Sequence, residues 1–318
     1  MRITSDSSQK SLLIAVIWLS FLGWADAHSK QNPNHLSNAG LWADSCASFF
    51  LADSEPLLCW RNDDKSMYHT QHTLDSLSLK GAAHQFVREG RALAVRPFGW
   101  TDGDRKKLLG SLAITAAALA FDPWANHQLN SGPTEQDNSV MKWLEAPGNG
   151  SLYLPLAALL WGQGRARGEA QLAGLGVGLA SSVIWPRLLI QIPKYVFQRE
   201  RPRNGGENPY TFHGPWGSYT HDAFPSGHTA TAFAAAAYLR GVKPFQRAWP
   251  GQAATILAFG TAIQRLHGGE HWLADVVAGA MFGQACGAFL AKRASGLQIV
   301  ASPTGAQIII PIGHSLSN

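Results

Sequence analysis

Charged residues are scarce in this chain of 318 residues. Lys, Arg, Asp and Glu make up 15% of the sequence, whereas apolar residues make up 46%. That charge fraction is low for a soluble protein, yet the mean hydropathy of -0.07 is low for a protein with many membrane spans. The length allows one large domain or two small ones with a substantial core. Composition alone therefore leaves the choice between a membrane-embedded and a soluble protein open.

A dense basic run is also missing, although the net charge is +5 and the pI is about 9.2. The sequence contains no recognisable nucleic-acid-binding motif, so nucleic acid is not an expected partner. The positive balance instead suits an anionic partner of another kind. A phosphorylated small molecule or an anionic membrane fits best.

Cysteine is rare as well, with three residues in the chain. The N-terminus carries the apolar run "LLIAVIWLSFLGW" followed by "ADA" at 25–27, which is typical of a signal peptide over residues 1–27. An uncleaved anchor helix is the alternative. Either reading predicts export, so Cys46 and Cys59 could form a disulfide. Cys286 lies in an apolar run and is expected in the core.

The rest of the chain has the pattern of an all-α protein. Residues 28–105 are expected to form a loop-rich leader with one amphipathic helix over 79–95. Six apolar runs follow, separated by loops rich in Pro, Gly and charge: 108–121, 152–162, 172–190, 229–239, 253–263 and 274–291. The core is predicted over 106–293. In the tail, 294–318, two β-prone runs around a Pro-Thr-Gly turn predict a small hairpin.

Two of these runs, 172–190 and 274–291, approach the length that a bilayer requires. Basic clusters follow several runs in an order that would place them on one side of a membrane. Against this, no apolar run between 28 and 104 could return a chain with a cleaved signal to the cytoplasm. Membrane-embedded and soluble arrangements both remain open.

Chemistry-bearing residues are concentrated in three blocks. In "KYVFQRERP" (194–202), Lys194 and Arg201 lie seven residues apart, so one helix face could present both. Arg199 and Arg203 add charge, and a solvated basic cluster is the plainer interpretation. In "FPSGHTATAF" (224–233), Ser226, Gly227 and His228 precede an apolar helix, whose first N–H groups attract anions. An ordinary serine cap is the plainer interpretation there.

The third block is "QRLHGGEHWLAD" (264–275). His271 and Asp275 share a helix face at this spacing, so the carboxylate could bind one ring nitrogen and leave the other free to attack. Asp275 could equally be a simple helix cap. His267 and Glu270 are interpreted as loop residues without a role. Arg265 completes a set of three cations.

The three blocks together supply cations, neutral donors, an acid and a nucleophile, as phosphoryl transfer requires. The patterns Lys-x6-Arg-Pro, Pro-Ser-Gly-His and Arg-x5-His-x3-Asp resemble the signature motifs of the type 2 phosphatidic acid phosphatase (PAP2) superfamily. That superfamily also includes bacterial acid phosphatases and vanadium haloperoxidases. The resemblance covers about 170–293 and departs from the family pattern at Gln264, where serine is usual.

The resemblance implies an α-helical bundle of the PAP2/haloperoxidase type and a phosphatase without metal or other cofactor. The resemblance also implies that His271 is the nucleophile, that Asp275 orients it, and that His228 protonates the leaving oxygen. The phosphate would be held by Lys194, Arg201, Ser226, Gly227 and Arg265.

The expected substrate is a lipid phosphate or polyprenyl (di)phosphate, hydrolysed on the periplasmic face of a bacterial inner membrane. A soluble periplasmic acid phosphatase acting on small phosphate esters is the first alternative. A vanadium haloperoxidase and a non-enzymatic phosphate-binding protein are further ones.

Overall fold

The computed structural model describes residues 76–130, 139–204, 208–216, 220–242, 249–295, 298–302 and 305–309. Ten α-helices lie within these ranges: α1 (Leu79–Val95), α2 (Asp102–Ala120), α3 (Asp122–Leu129), α4 (Ser139–Asn149), α5 (Tyr153–Arg167), α6 (Ala170–Leu189), α7 (Gln191–Phe197), α8 (Gly227–Gly241), α9 (Trp249–His267) and α10 (Leu273–Ser295). Short 3₁₀ turns span Arg96–Gly99, Pro202–Asn204 and Gly214–Trp216. The all-α prediction is confirmed.

The predicted apolar runs all lie within helices to within one residue at either end, and the amphipathic helix is found at Leu79–Val95. The expectation of a loop between the first two apolar runs is wrong for Asp122–Leu129, which is helical with a proline in its first turn. The described residues fall into two compact units. Residues 100–110 belong to one, and 76–99 with 111–309 belong to the other, which contains every predicted site residue.

Helix α8 forms the centre of the larger unit. Its alanine-rich sequence is buried along nearly its whole length. It packs against α10 through glycines at every fourth position, where a Cβ atom would lie 2.1 to 2.4 Å from a carbonyl oxygen of the facing segment. The facing pairs are Gly279 with Ser226, Gly283 with Ala230, and Gly287 with Ala234. Because glycine has no Cβ, the two backbones can approach closely, and α10 is held in register with the start of α8.

Two helical segments among the described residues are long and apolar enough to cross a bilayer, Ala170–Phe197 and Leu273–Ala294. Helices α2 and α3, which meet at a bend of 59°, would add a third if they form one broken span. Large apolar side chains are exposed on several helices, among them Leu159, Leu188 and Ile256. Such exposure suits a lipid environment better than water.

The predicted C-terminal hairpin is present, with β1 (Gln298–Ser302) paired antiparallel to β2 (Gly305–Ile309). Cys286 is buried, as expected for a core residue. The signal peptide (1–27), most of the leader and the Cys46–Cys59 disulfide lie outside the described residues.

Candidate active site

The site is built around the N-terminus of α8. Ser226 is the N-cap, and its side chain accepts a hydrogen bond from the Thr229 N–H at 3.4 Å. The remaining N–H groups of the first turn have no intrahelical acceptor, and together with the helix dipole they favour an anion. A Cβ built on Gly227 would lie 3.7 Å from Lys194 Cε. The glycine therefore faces a cation directly.

Lys194 and Arg201 meet through Asp222, which sequence analysis did not single out. Arg201 binds both carboxylate oxygens of Asp222, at 2.8 and 2.9 Å. The Lys194 ammonium lies 3.6 Å from the same carboxylate and also donates to the Asp222 carbonyl. The expectation of a shared helix face is wrong, because α7 ends at Phe197 and Gln198 takes a left-handed conformation (φ 42°). The acid, rather than helical spacing, brings the two cations together.

Asp222 is ionised in this setting. Burial alone would raise the pKa of its carboxyl, but the charges of Lys194 and Arg201 outweigh burial and hold the pKa below its ordinary value. Asp222 was hard to recognise from the sequence, because it is one acidic residue in a long polar loop.

Glu270 is a second organiser that sequence analysis treated as a loop residue. It is 4% exposed. Its carboxylate lies 3.1 Å from Arg265 and also binds Arg201 and Arg203. Arg265 is within 3.4 Å of Glu145 as well. Buried charges need partners, and this glutamate is the shared counter-ion of three arginines.

His271 is buried and hydrogen-bonded through Nδ1 to the Ala223 carbonyl at 2.7 Å. A carbonyl oxygen only accepts, so Nδ1 carries the proton in this bond and Nε2 keeps its lone pair. Asp275 Oδ2 lies farther from Nδ1, at 3.7 Å. The expectation that Asp275 itself makes the orienting hydrogen bond is therefore wrong in this structure, where a backbone carbonyl makes it.

The Asp275 carboxylate instead organises the segment around His271. It accepts hydrogen bonds from the Trp272 N–H (2.8 Å) and from Arg199 (2.6 Å). Arg199 also binds Asp122 at 2.5 Å, and Asp122 accepts from the Ala274 N–H at 2.8 Å. Arg199 is fully buried. Its interpretation as part of a solvated basic cluster is wrong, because it joins α3 to the start of α10.

Burial and the nearby cations favour the neutral form of both histidines. Burial, then the charges of Lys194, Arg265 and Arg201, lower the pKa of His271 well below its usual range. Burial, then the charges of Arg265 and Arg187, lower the pKa of His228 to about 2. A phosphate dianion among these cations would offset their charges and raise the pKa of His228.

His228 also lies beside Glu145, with Nε2 3.4 Å from Oε1. The cations lie close enough to both histidines to shift the pKa of each. His271 also lies close enough to His228 to affect its pKa. The structure thus gathers all the predicted site residues around the start of α8: Lys194, Arg201, Ser226, Gly227, His228, Arg265, His271 and Asp275. The described residues contain no cluster of three or more His, Cys, Asp or Glu side chains that could hold a metal.

Comparison with known proteins confirms the resemblance read from the motifs. Residues 171–297 match the model of the PAP2 superfamily. The lipid A 1-phosphatase of Porphyromonas gingivalis is 34% identical over 95 residues, which cover 30% of this chain and only 18% of that protein. The crystal structure of a transmembrane PAP2-type phosphatidylglycerolphosphate phosphatase from Bacillus subtilis is 22% identical. The matched region covers 67% of this chain and 92% of the Bacillus subtilis chain. The TM-score is 0.35, which is too low to support a structural argument.

Proposed function

We propose that this protein is a phosphatase that hydrolyses the phosphate ester of a membrane lipid through a phosphohistidine on His271. The observation that carries the proposal is the state of this side chain. It is buried and neutral, its Nδ1 is bound to a carbonyl, and three cations shift its pKa. A neutral imidazole with a free Nε2 beside an anion-binding helix end is suited to attack phosphorus.

In the first step His271 Nε2 attacks the phosphorus atom, and the bond from phosphorus to the ester oxygen breaks. His228 transfers a proton to that oxygen, and the alcohol leaves. Bound phosphate raises the pKa of His228, so the imidazole can hold a proton when the substrate is present and lacks one otherwise. Lys194, Arg201 and Arg265 stabilise the charge on the non-bridging oxygens.

In the second step water attacks the phosphorus atom of the phosphohistidine. His228, now neutral, takes a proton from that water, and the bond from phosphorus to His271 Nε2 breaks. Inorganic phosphate leaves, and both imidazoles return to their starting state. The same residue serves as acid and then as base, which microscopic reversibility allows.

The proposed substrate is a lipid phosphate or polyprenyl (di)phosphate. Lys194 lies near the C-terminal end of the candidate span Ala170–Phe197, and His271 lies just before Leu273–Ala294. If both segments cross a bilayer, the phosphate site lies at one membrane face, where lipid head groups are found. The match to the PAP2 superfamily and the similarity to a lipid A phosphatase support this class. The export signal read at the N-terminus supports the periplasmic face.

The test is phosphate release by the full chain in detergent, from phosphatidic acid, a polyprenyl diphosphate and p-nitrophenyl phosphate. We expect turnover of the lipid substrates to exceed that of the soluble ester, and His271→Ala to lose at least about 10³-fold, because the covalent step disappears. His127→Ala, at an exposed histidine, is the matched control and should keep wild-type turnover.

Trapping the intermediate tests the mechanism separately. Rapid acid-free quenching with ³²P-labelled substrate should leave label that is stable in base, labile in acid and located on His271. Label on another residue, or no phosphate release from any of the three substrates, would show the proposal to be wrong. Release from p-nitrophenyl phosphate alone would refute the lipid substrate class but not the phosphatase activity.

A further inference from the structure

Arg187 is a basic residue of the site that belongs to none of the three motifs. It lies near the end of α6, seven residues before Lys194. The segment between them contains the break from α6 to α7, so the sequence alone does not indicate where its side chain points.

The Arg187 guanidinium is held differently from the other arginines around it. Its NH1 atom is buried and has no hydrogen-bond partner within the described part of the chain. Arg201 and Arg265 each bind carboxylates. A buried charged donor without an acceptor is costly, so an unmet donor at this position indicates that a ligand supplies the acceptor.

The position of this donor indicates which ligand. A Cβ built on Gly227 would lie 3.6 Å from Arg187 NH1 and 3.7 Å from Lys194 Cε, so both cations border the same glycine at the start of α8. Arg187 also interacts electrostatically with Asp222 and Glu145, the acids that hold the other cations of the site. It is therefore within electrostatic range of both groups of charges.

Arg265 presents a second unmet donor. Its Nε atom is likewise buried without a hydrogen-bond partner among the described residues. Arg265 and Arg187 are also the two charges with the largest effect on His228. Arg187 borders Gly227, the residue before His228, and Arg265 shares Glu145 with His228. Two guanidinium groups with unmet donors therefore lie close to the proposed acid, where they could bind oxygen atoms of an anion.

The charge balance of the site supports the same ligand. Three carboxylates, those of Asp222, Glu145 and Glu270, face a larger number of cations. The cations are Lys194, Arg187, Arg201, Arg203 and Arg265. Arg199, bound to Asp122 and Asp275, brings the totals to six cations and five carboxylates. The excess of +1 favours an anion, and without Arg187 there would be no excess.

We propose that Arg187 binds a non-bridging oxygen of the transferred phosphoryl group, on the side of His228, as a fourth cationic ligand beside Lys194, Arg201 and Arg265. This inference rests on the proposed function for its substrate, but its geometry requires only an oxyanion at the start of α8. It assigns a role to a residue outside the signature motifs.

The test compares Arg187→Gln and Arg187→Lys with the wild type in detergent, using orthovanadate as the probe of the anion site. We expect the vanadate inhibition constant of Arg187→Gln to rise and its kcat/KM to fall, each about 10- to 100-fold, because a charge-assisted hydrogen bond is lost. Arg187→Lys keeps the charge but lacks the planar guanidinium, so its inhibition constant and kcat/KM should lie between those of the wild type and Arg187→Gln. Arg240→Gln, at the far end of α8, removes another partly buried arginine and should match the wild type.

Chemical rescue separates direct contact from a structural role. In Arg187→Ala, guanidinium chloride at millimolar concentration should restore part of the turnover, and an equal concentration of sodium chloride should not. A residue that only maintains packing would show no such selective rescue. If Arg187→Gln does not fold, the lysine variant alone decides: an inhibition constant that is weaker by several fold supports the inference, and an unchanged one overturns it.

The inference and the proposed function can fail separately. If the wild type releases phosphate while both folded variants bind vanadate as the wild type does, the inference is wrong and the function stands. If the wild type releases no phosphate, thermal stabilisation by vanadate becomes the measurement. Stabilisation that is lost in Arg187→Gln would keep the inference and discard the phosphatase, and equal stabilisation in both proteins would overturn the inference.

Discussion

A single methyl group added between α8 and α10 should strongly lower the activity of the site. In Gly279→Ala the new Cβ would lie 2.4 Å from the carbonyl oxygen of Ser226, the residue that caps α8. An ordinary contact begins at 3.4 Å, so the carbonyl or α10 must retreat by about 1 Å. Ser226 belongs to the anion-binding turn, and α10 follows directly from His271. The displacement therefore acts on the distance between nucleophile and phosphate.

The expected magnitudes follow from this geometry. A misplacement of about 1 Å in a catalytic arrangement can lower turnover by about 10²-fold, so we expect a fall of that order in kcat/KM. Overpacking should also lower the free energy of unfolding by about 1–3 kcal/mol, partly offset by the better helix propensity of alanine, about 1 kcal/mol. Phosphate release and thermal unfolding in detergent measure the two effects.

Two matched variants separate position from overpacking. Gly287→Ala would make an even closer contact, 2.1 Å from Ala234 O, but two turns farther from the site. It should lose stability like Gly279→Ala and lose less activity. Gly174→Ala, whose nearest neighbour would be 3.9 Å away, should be stable and active. Full activity and unchanged unfolding in Gly279→Ala would show that the two helices do not touch as described.

Two further predictions concern buried charge. Arg199→Leu leaves Asp122 and Asp275 without their shared cation, so the free energy of unfolding should fall by about 3–5 kcal/mol, measured by chemical denaturation in detergent against Arg240→Gln. The second concerns His228, whose folded pKa of about 2 lies below the ordinary 6.5. As pH falls below 6.5 the unfolded state binds the proton first, so stability should fall by up to about 1.4 kcal/mol per pH unit. In His228→Gln the decline in melting temperature between pH 7 and 5 should be smaller than in the wild type. Inorganic phosphate should also make this decline smaller in the wild type. An identical decline in the wild type, in the wild type with phosphate and in His228→Gln would contradict the assigned pKa.

The long helices were predictable because their apolar runs are continuous, as in 172–190 and 274–291. Helix α3 was missed because Asp122–Leu129 is short and mostly polar. Helix α4 was missed because part of its sequence is polar and Pro147 lies inside it. Both omissions affected the account of the site, since α3 contributes Asp122 and α4 contributes Glu145.

The candidate residues with recognisable spacing were found from the motifs, and the acids that hold them were not. Glu270 was visible beside Arg265 and His271, but its role depends on Arg201, 69 residues away. Arg199 looked like surface charge because its partners, Asp122 and Asp275, are 77 and 76 residues distant. The break after Phe197 could not be read from the regular spacing of Lys194 and Arg201.

The sequence by itself determined the helical class, the long apolar helices and the polar residues at the start of α8, because these depend on local propensity and spacing. Only the tertiary structure decided that a backbone carbonyl orients His271, that Asp222 and Glu270 hold the cations, and that Arg187 faces the same glycine. Those contacts join segments far apart in the chain, and their partners are chosen by how the helices pack. The local sequence therefore does not indicate which partner each residue contacts.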